Sequence, residues 1–172
     1  MGELLSTRPF LLAFAVAGGL PLLLLTTSAS SSESLRLTGR PLTIQVALPE
    51  QVVAKQRATT DDVGTLLRIE GVSTDPPQTA TVRVFVEKPT ANRDTPVSDL
   101  HFVGYFTLVP RHTRSAGPLD GQSFLFELPR RVLTSALARS TIQVTLVPVA
   151  VAPSPPTITV RRTSVELPRT AG

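Results

Sequence analysis

Two runs of alternating side chains between residues 82 and 109 place the strongest constraint on the fold of this chain. Each run has one face that is apolar throughout, and a polar loop separates the two runs. The apolar faces consist of Val82, Val84 and Val86 in the first run, and of Phe102, Gly104, Phe106 and Leu108 in the second. Successive side chains of a strand point to opposite faces, so each run predicts a strand with one face toward a core. The loop, residues 88–100, contains prolines and aspartates, which interrupt ladders and favour turns.

Five further runs show the same alternation on either side of this pair. They cover residues 42–48, 63–72, 122–128, 141–149 and 157–167. Residues 129–138 instead carry apolar side chains at helical spacing after a proline that suits a first helical turn, and predict the only helix of the folded part. Residues 49–62 are polar and predict a loop. Seven short strands and one short helix predict an all-β fold, either an antiparallel β-sandwich or a jelly-roll-like barrel.

The N-terminal residues differ from the rest of the chain. An uncharged apolar stretch, residues 10–25, follows Arg8 and is followed by small residues, which favours a cleaved signal peptide. An uncleaved membrane anchor and a buried core helix are the alternatives. We therefore predict a signal or anchor segment at 1–29, a Ser-rich linker at 30–40, a β-sandwich domain at 41–168 and a frayed tail at 169–172. The corresponding localisation is exported: periplasmic, extracellular, or membrane-anchored and facing outward.

Composition excludes several classes of site. The absence of cysteine excludes disulfides, thiolate metal sites and a cysteine nucleophile. The net charge of +4 is small and the arginines are scattered, so no dense basic surface for nucleic acid is predicted. The two histidines, His101 and His112, are too few to hold a metal without several carboxylates. The sequence has no nucleophile elbow and no phosphate-binding loop. We therefore predict no cofactor, no metal site and no enzymatic activity.

Three residues of the central pair call for individual interpretation. Tyr105 is the only tyrosine, and packing against a neighbouring strand is favoured over a role as a binding aromatic. Phe85 lies on the polar face of its strand, and packing under a loop is favoured over exposure to a partner. Gly104 interrupts an apolar face, which indicates a bulge or a close approach of another group to the backbone.

The order of the motifs resembles that of a known domain. The segments are VRVFVEKPTANRDTPVSDLHFVGYFTLV, SFLFELPRRVLTSAL, IQVTLVPVAVAP and ITVRRTSVEL. This series resembles the C-terminal β-sandwich domain that follows the copper domain in bacterial tyrosinases and plant-type polyphenol oxidases. The resemblance covers residues 60–167, and its order and spacing carry it rather than any single motif. In that family the domain covers the copper site and can place a side chain near it.

The copper domain itself has no counterpart among these residues. The family's dinuclear site is rich in histidine, whereas this chain has two in all, so it is not expected to be a copper oxidase by itself. The resemblance implies a non-catalytic exported accessory domain that shields or chaperones a separately encoded tyrosinase-like copper oxidase. The candidate contact residues are His101, Phe102, Tyr105 and His112. The alternative is an envelope-associated module that binds a glycan or a protein. Contact with a membrane is expected only through the N-terminal segment.

Overall fold

Nine strands and two helices make up the described residues of the computed structural model, which are 34–59, 64–109, 121–149 and 155–168. The elements are β1 (Leu35–Leu37), β2 (Leu42–Ala47), α1 (Glu50–Ala58), β3 (Thr65–Asp75), β4 (Ala80–Val86), β5 (Phe102–Leu108), β6 (Gln122–Leu128), α2 (Arg130–Arg139), β7 (Thr141–Val149), β8 (Thr157–Val160) and β9 (Arg162–Glu166). The predicted signal or anchor segment, His112 and the predicted tail lie outside the described residues. Neither helix in the described ranges is long and apolar enough to cross a bilayer.

Two antiparallel sheets form the fold. The four-stranded sheet has the order β2-β7-β4-β5. The five-stranded sheet has the order β1-β8-β3-β6, and β9 also pairs with β3. The two sheets do not close into a barrel, so the predicted all-β antiparallel sandwich is confirmed and the barrel alternative is not.

The core lies between the sheets and is built from the alternating apolar side chains. Val82 and Val84 of β4 are completely buried, and so are Leu67 and Ile69 of β3. Helix α2 adds Val132, Leu133 and Ala136, which are buried as the helical spacing predicts. Each fully buried side chain of this size stabilises the fold by about 1.5–3 kcal/mol through the hydrophobic effect.

Helix α1 contradicts the loop that the sequence predicts for residues 49–62, and with it the prediction of a single helix. Val52, Val53 and Gln56 are its buried residues, at a spacing that places them on one face. Gln56 donates from Nε2 to Oγ1 of Thr65 at 2.8 Å, and this hydrogen bond lowers the cost of burying its polar side chain. A polar residue at a buried position concealed the helical pattern from sequence inspection.

Two strand boundaries also differ from prediction. Strand β1 lies inside residues 30–40, which were predicted to be a linker, and its Leu37 is buried. The single strand predicted for 157–167 is interrupted at Arg161 and forms β8 and β9. Arg161 lies beside a register shift in β3, where Gly71 has a φ of +65°. A Cβ at Gly71 would lie 2.6 Å from Cβ of Arg161, so the missing side chain makes room for the arginine.

Candidate functional site

Three of the four residues predicted as contact candidates lie in strand β5 or directly before it. His101 precedes the strand, Phe102 begins it, and Tyr105 is at its centre. The chain therefore brings three of the four candidates together in one short segment. His112, the fourth, lies outside the described residues.

An ion pair joins the two ends of the loop that leads into β5. Nζ of Lys88 pairs with the carboxylate of Asp99, which joins the first and last turns of the loop. In the middle, Nη1 of Arg83 donates to the carbonyl oxygens of Arg93 at 3.1 Å and Thr95 at 3.3 Å. These bonds hold the loop against the outer face of the four-stranded sheet.

His101 is half-buried and oriented by backbone groups. Its Nδ1 lies 2.8 Å from the carbonyl oxygen of Val86. Because a carbonyl oxygen only accepts, Nδ1 carries the hydrogen, and in the neutral ring Nε2 is left with an unprotonated lone pair. The backbone N–H of His101 donates to Oδ1 of Asp99 at 2.9 Å. The hydrogen bond from Lys88, followed by that from the His101 backbone, lowers the pKa of Asp99 below its ordinary value.

Phe102 faces the loop and not the main core. A register shift between Val84 and Phe85 leaves Val103 without a partner on β4. Phe102 therefore pairs opposite Phe85, with the ring centroids 5.5 Å apart in an edge-to-face arrangement. The prediction that Phe102 shares a face with Phe106 is wrong, because the shift turns the start of β5 over.

A small second core forms under the loop as a result. Phe85, Ala91 and Val147 are buried in it, and Phe102 packs against them. The prediction that Phe85 packs under a loop is confirmed. Phe102 thus contributes to the support of the site more than to its accessible surface.

Gly104 allows the two sheets to approach at this edge. A Cβ at this position would lie 2.7 Å from Cδ1 of Phe126, and the glycine has a φ of +154°. Two residues further along β5, the rings of Phe106 and Phe124 stack with their centroids 4.5 Å apart. The predicted close approach at Gly104 is confirmed, and it brings β5 of one sheet against β6 of the other.

Tyr105 points outward and is 65% exposed, so the prediction that it packs against a neighbouring strand is wrong. Other large apolar side chains along the same segment are exposed too, and sequence analysis did not identify them. The exposed fractions are 55% for Val97, 69% for Leu100 and 60% for Val109. We term the side chains of Val97, Leu100, Tyr105 and Val109 the β5 edge. The remaining large exposed apolar residue of the described ranges, Leu125, lies on β6, which adjoins β5.

The side chains of the β5 edge are large, apolar and exposed, which suits them to contact with another molecule. In the described residues no group of three or more His, Cys, Asp or Glu side chains is placed to hold a metal ion. Large apolar side chains that are exposed along one segment of a chain are candidates for an interaction site. If the alternation of β5 is continued past Tyr105 and Thr107, Val109 falls on the same face as Tyr105. This continuation is the one signal in the sequence that could have grouped Val109 with Tyr105.

Comparison with known proteins identifies the fold. No family model matches the chain, and no curated protein matches it. A solved structure of recombinantly expressed latent aurone synthase, a polyphenol oxidase, matches with a TM-score of 0.56 and 22% identity. The match covers 78% of this chain and 26% of that one. The latent enzyme from its natural source gives the same TM-score and identity, over 76% of this chain and 25% of that one.

The chain has the fold of one part of a polyphenol oxidase. The resemblance noted in the sequence is therefore confirmed at the level of the fold. The chain spans about a quarter of the length of the polyphenol oxidases that it matches. This coverage agrees with a correspondence to the C-terminal β-sandwich region of such an oxidase.

Proposed function

We propose that this chain is a non-catalytic, exported accessory module that binds a separately encoded tyrosinase-type copper oxidase and shields or chaperones its copper site. The observation that supports the proposal is the fold match, which extends over 78% of this chain and only 26% of a latent polyphenol oxidase. In a polyphenol oxidase the corresponding domain docks on the copper domain of the same chain. A separate module with this fold can dock in the same way on the copper domain of another protein.

The β5 edge is the proposed contact surface. Tyr105 lies on the end strand of a sheet, Val109 directly follows that strand, and Val97 and Leu100 lie in the loop that precedes it. An apolar partner would remove these exposed side chains from water. The loop beneath the edge is held by the Lys88–Asp99 pair and the bonds from Arg83, so the surface is preorganised for binding.

The test is to mix the purified protein with a tyrosinase-type oxidase from the same organism and to follow diphenol oxidation and bound copper. We expect stoichiometric inhibition, or improved copper loading of the apo-oxidase. Tyr105→Lys is expected to weaken either effect at least tenfold, because it places a charge in an apolar contact. The matched control is Ala47→Lys, which adds the same charge at the opposite edge of the same sheet. A folded protein without effect on either readout would refute the proposal.

One observation favours a second candidate, an envelope-associated module that binds a glycan or a protein. Tyr105 presents an exposed aromatic ring on a sheet surface, which is suited to stacking on an apolar or sugar face. Binding on a glycan array that Tyr105→Ala abolishes would support this function. A silent array together with an effect on the oxidase would exclude it in favour of the first proposal.

A further inference from the structure

The outer side of strand β5 carries an unpaired ladder. β5 ends the four-stranded sheet and pairs with β4 on one side, and no other strand of the described residues pairs with it. Within the described part of the chain, the backbone N–H and C=O groups on its second side thus have no strand partner. Such an edge is a template for pairing with a further chain.

β5 has few of the features that usually prevent an edge strand from pairing with another chain. The segment from Phe102 to Val109 contains no Lys, Arg, Asp, Glu or Pro. The register shift at Val84/Phe85 distorts only the beginning of the strand. The opposite edge of the sheet, β2, differs, because its exposed side chains are Thr43, Gln45 and Ala47, none of them large and apolar. The two edges of one sheet are thus unequal, and the apolar exposure belongs to β5.

We propose that β5 pairs antiparallel with β5 of a second copy of this chain, across a two-fold axis that joins the two four-stranded sheets into one of eight strands. A two-fold interface sets the same surface against itself, so any charge would stand near its own copy. β5 carries no charge and meets this condition without repulsion. The pairing also brings the exposed Tyr105 rings of both copies to the same face of the joined sheet, where they shield one another from water.

We assign a second copy as the partner because a strand that pairs with β5 should be uncharged and exposed, and β5 of a second copy is such a strand. Self-pairing does not depend on the proposed contact with an oxidase. It uses the same edge, however, so the two associations exclude one another, and an oxidase partner would have to release the strand first.

The first measurement is the molar mass of the full chain by light scattering across a concentration series. We expect a monomer–dimer equilibrium in the wild type and in Ala47→Lys, and a shift of at least tenfold toward the monomer in Tyr105→Lys. A wild type that stays monomeric at the highest concentration would overturn the proposal while leaving the proposed shielding function standing. A dimer unaffected by Tyr105→Lys, with circular dichroism showing a folded variant, would overturn it as well.

A distance measurement covers the case in which Tyr105→Lys does not fold. The chain has no cysteine, so a single spin label can be attached at Tyr105→Cys or at Ala47→Cys without background. Labels at position 105 are expected to couple strongly, since paired strands lie about 4.8 Å apart. Labels at position 47 would be separated by seven strand spacings across the joined sheet, about 34 Å, and by a further offset along the strands, so they would lie more than about 34 Å apart. The reverse pattern of distances would place the interface at β2 and contradict the proposal.

Discussion

At Gly104 the absence of a single methyl group decides how closely the two sheets can approach. Gly104→Ala would place a Cβ 2.7 Å from Cδ1 of Phe126, at a φ that L-residues rarely adopt. We expect a loss of roughly 1–3 kcal/mol in the free energy of unfolding, because both the ring and the backbone would have to shift. Urea unfolding of the two proteins measures this loss.

Gly64→Ala is the matched control for that substitution. Its added Cβ would lie 3.7 Å from Cγ of Pro168, which is an ordinary contact. We expect a change of no more than about 0.5 kcal/mol. Equal effects at the two glycines would show that the contact with Phe126 is not the cause.

Asp99 is a residue whose charge state couples the loop to pH. Its pKa is lowered by Lys88 and by the backbone N–H of His101, so the folded state favours the carboxylate more than the unfolded state does. This stability is present above the ordinary aspartate value of about 3.9 and is lost as the pH falls through the lowered pKa of the folded state. The free-energy gap between the wild type and Asp99→Asn should therefore narrow on acidification.

Chemical unfolding at a series of pH values from neutral to about pH 2 measures that gap. Asp94→Asn is the control for loss of a carboxylate from the same loop, because Asp94 is exposed. A gap between the wild type and Asp99→Asn that stays constant down to the lowest pH would contradict the assignment.

At the scale of elements, Glu87 ties helix α2 to the four-stranded sheet. Its carboxylate accepts from the backbone N–H of Gln143 at 2.8 Å and from Oγ of Ser135 at 3.1 Å, and it pairs with Arg139. We expect Glu87→Ala to cost roughly 2–4 kcal/mol, because it leaves a backbone donor and a guanidinium without their acceptor. Ser135→Ala, which removes one neutral bond, should cost about 1 kcal/mol.

Thermal and urea unfolding of both variants test this link. If Glu87→Ala were no more destabilising than Ser135→Ala, the carboxylate would not hold the helix. Glu87 also has a φ of +57°, which glycine adopts without strain. Glu87→Gly loses the same bonds as Glu87→Ala but relieves the backbone, so comparing the two variants separates the loss of the bonds from the effect of the backbone.

The two helices show what local sequence can and cannot predict about an element. Both follow a proline, Pro49 before α1 and Pro129 before α2. The apolar stripe of α2 predicted it correctly, whereas α1 buries Gln56 beside two valines and was mistaken for a loop. The proline signal was present in both cases. Burial of a glutamine depends on its bond to Thr65, which no local pattern contains.

At the scale of the whole molecule, the described strands and helices all fall within one compact unit, residues 32–172. We expect these residues, expressed without the preceding segment, to fold into a β-rich protein that unfolds in one cooperative transition. Circular dichroism and urea unfolding monitored by two probes provide the measurement. Transitions that do not coincide, or a spectrum without β-structure, would show that the preceding residues are needed for the fold.

The sequence by itself determined the fold class and the positions of most strands. Period-two alternation and turn residues are local properties, and they sufficed to predict the β4–β5 pair, the buried face of β4 and the close approach at Gly104. The order of these segments also sufficed to identify the polyphenol oxidase resemblance, which the fold match confirms.

Only the tertiary structure decided which apolar side chains of the strands are exposed to solvent. The same alternating pattern describes a strand in the middle of a sheet and a strand at its edge, so Tyr105 could not be predicted to be exposed. Its exposure follows from the place of β5 at the end of the order β2-β7-β4-β5. The turned face of Phe102 likewise follows from a register shift between two strands. Both features arise from pairing between residues distant along the chain, and such pairing is settled when the sheets assemble.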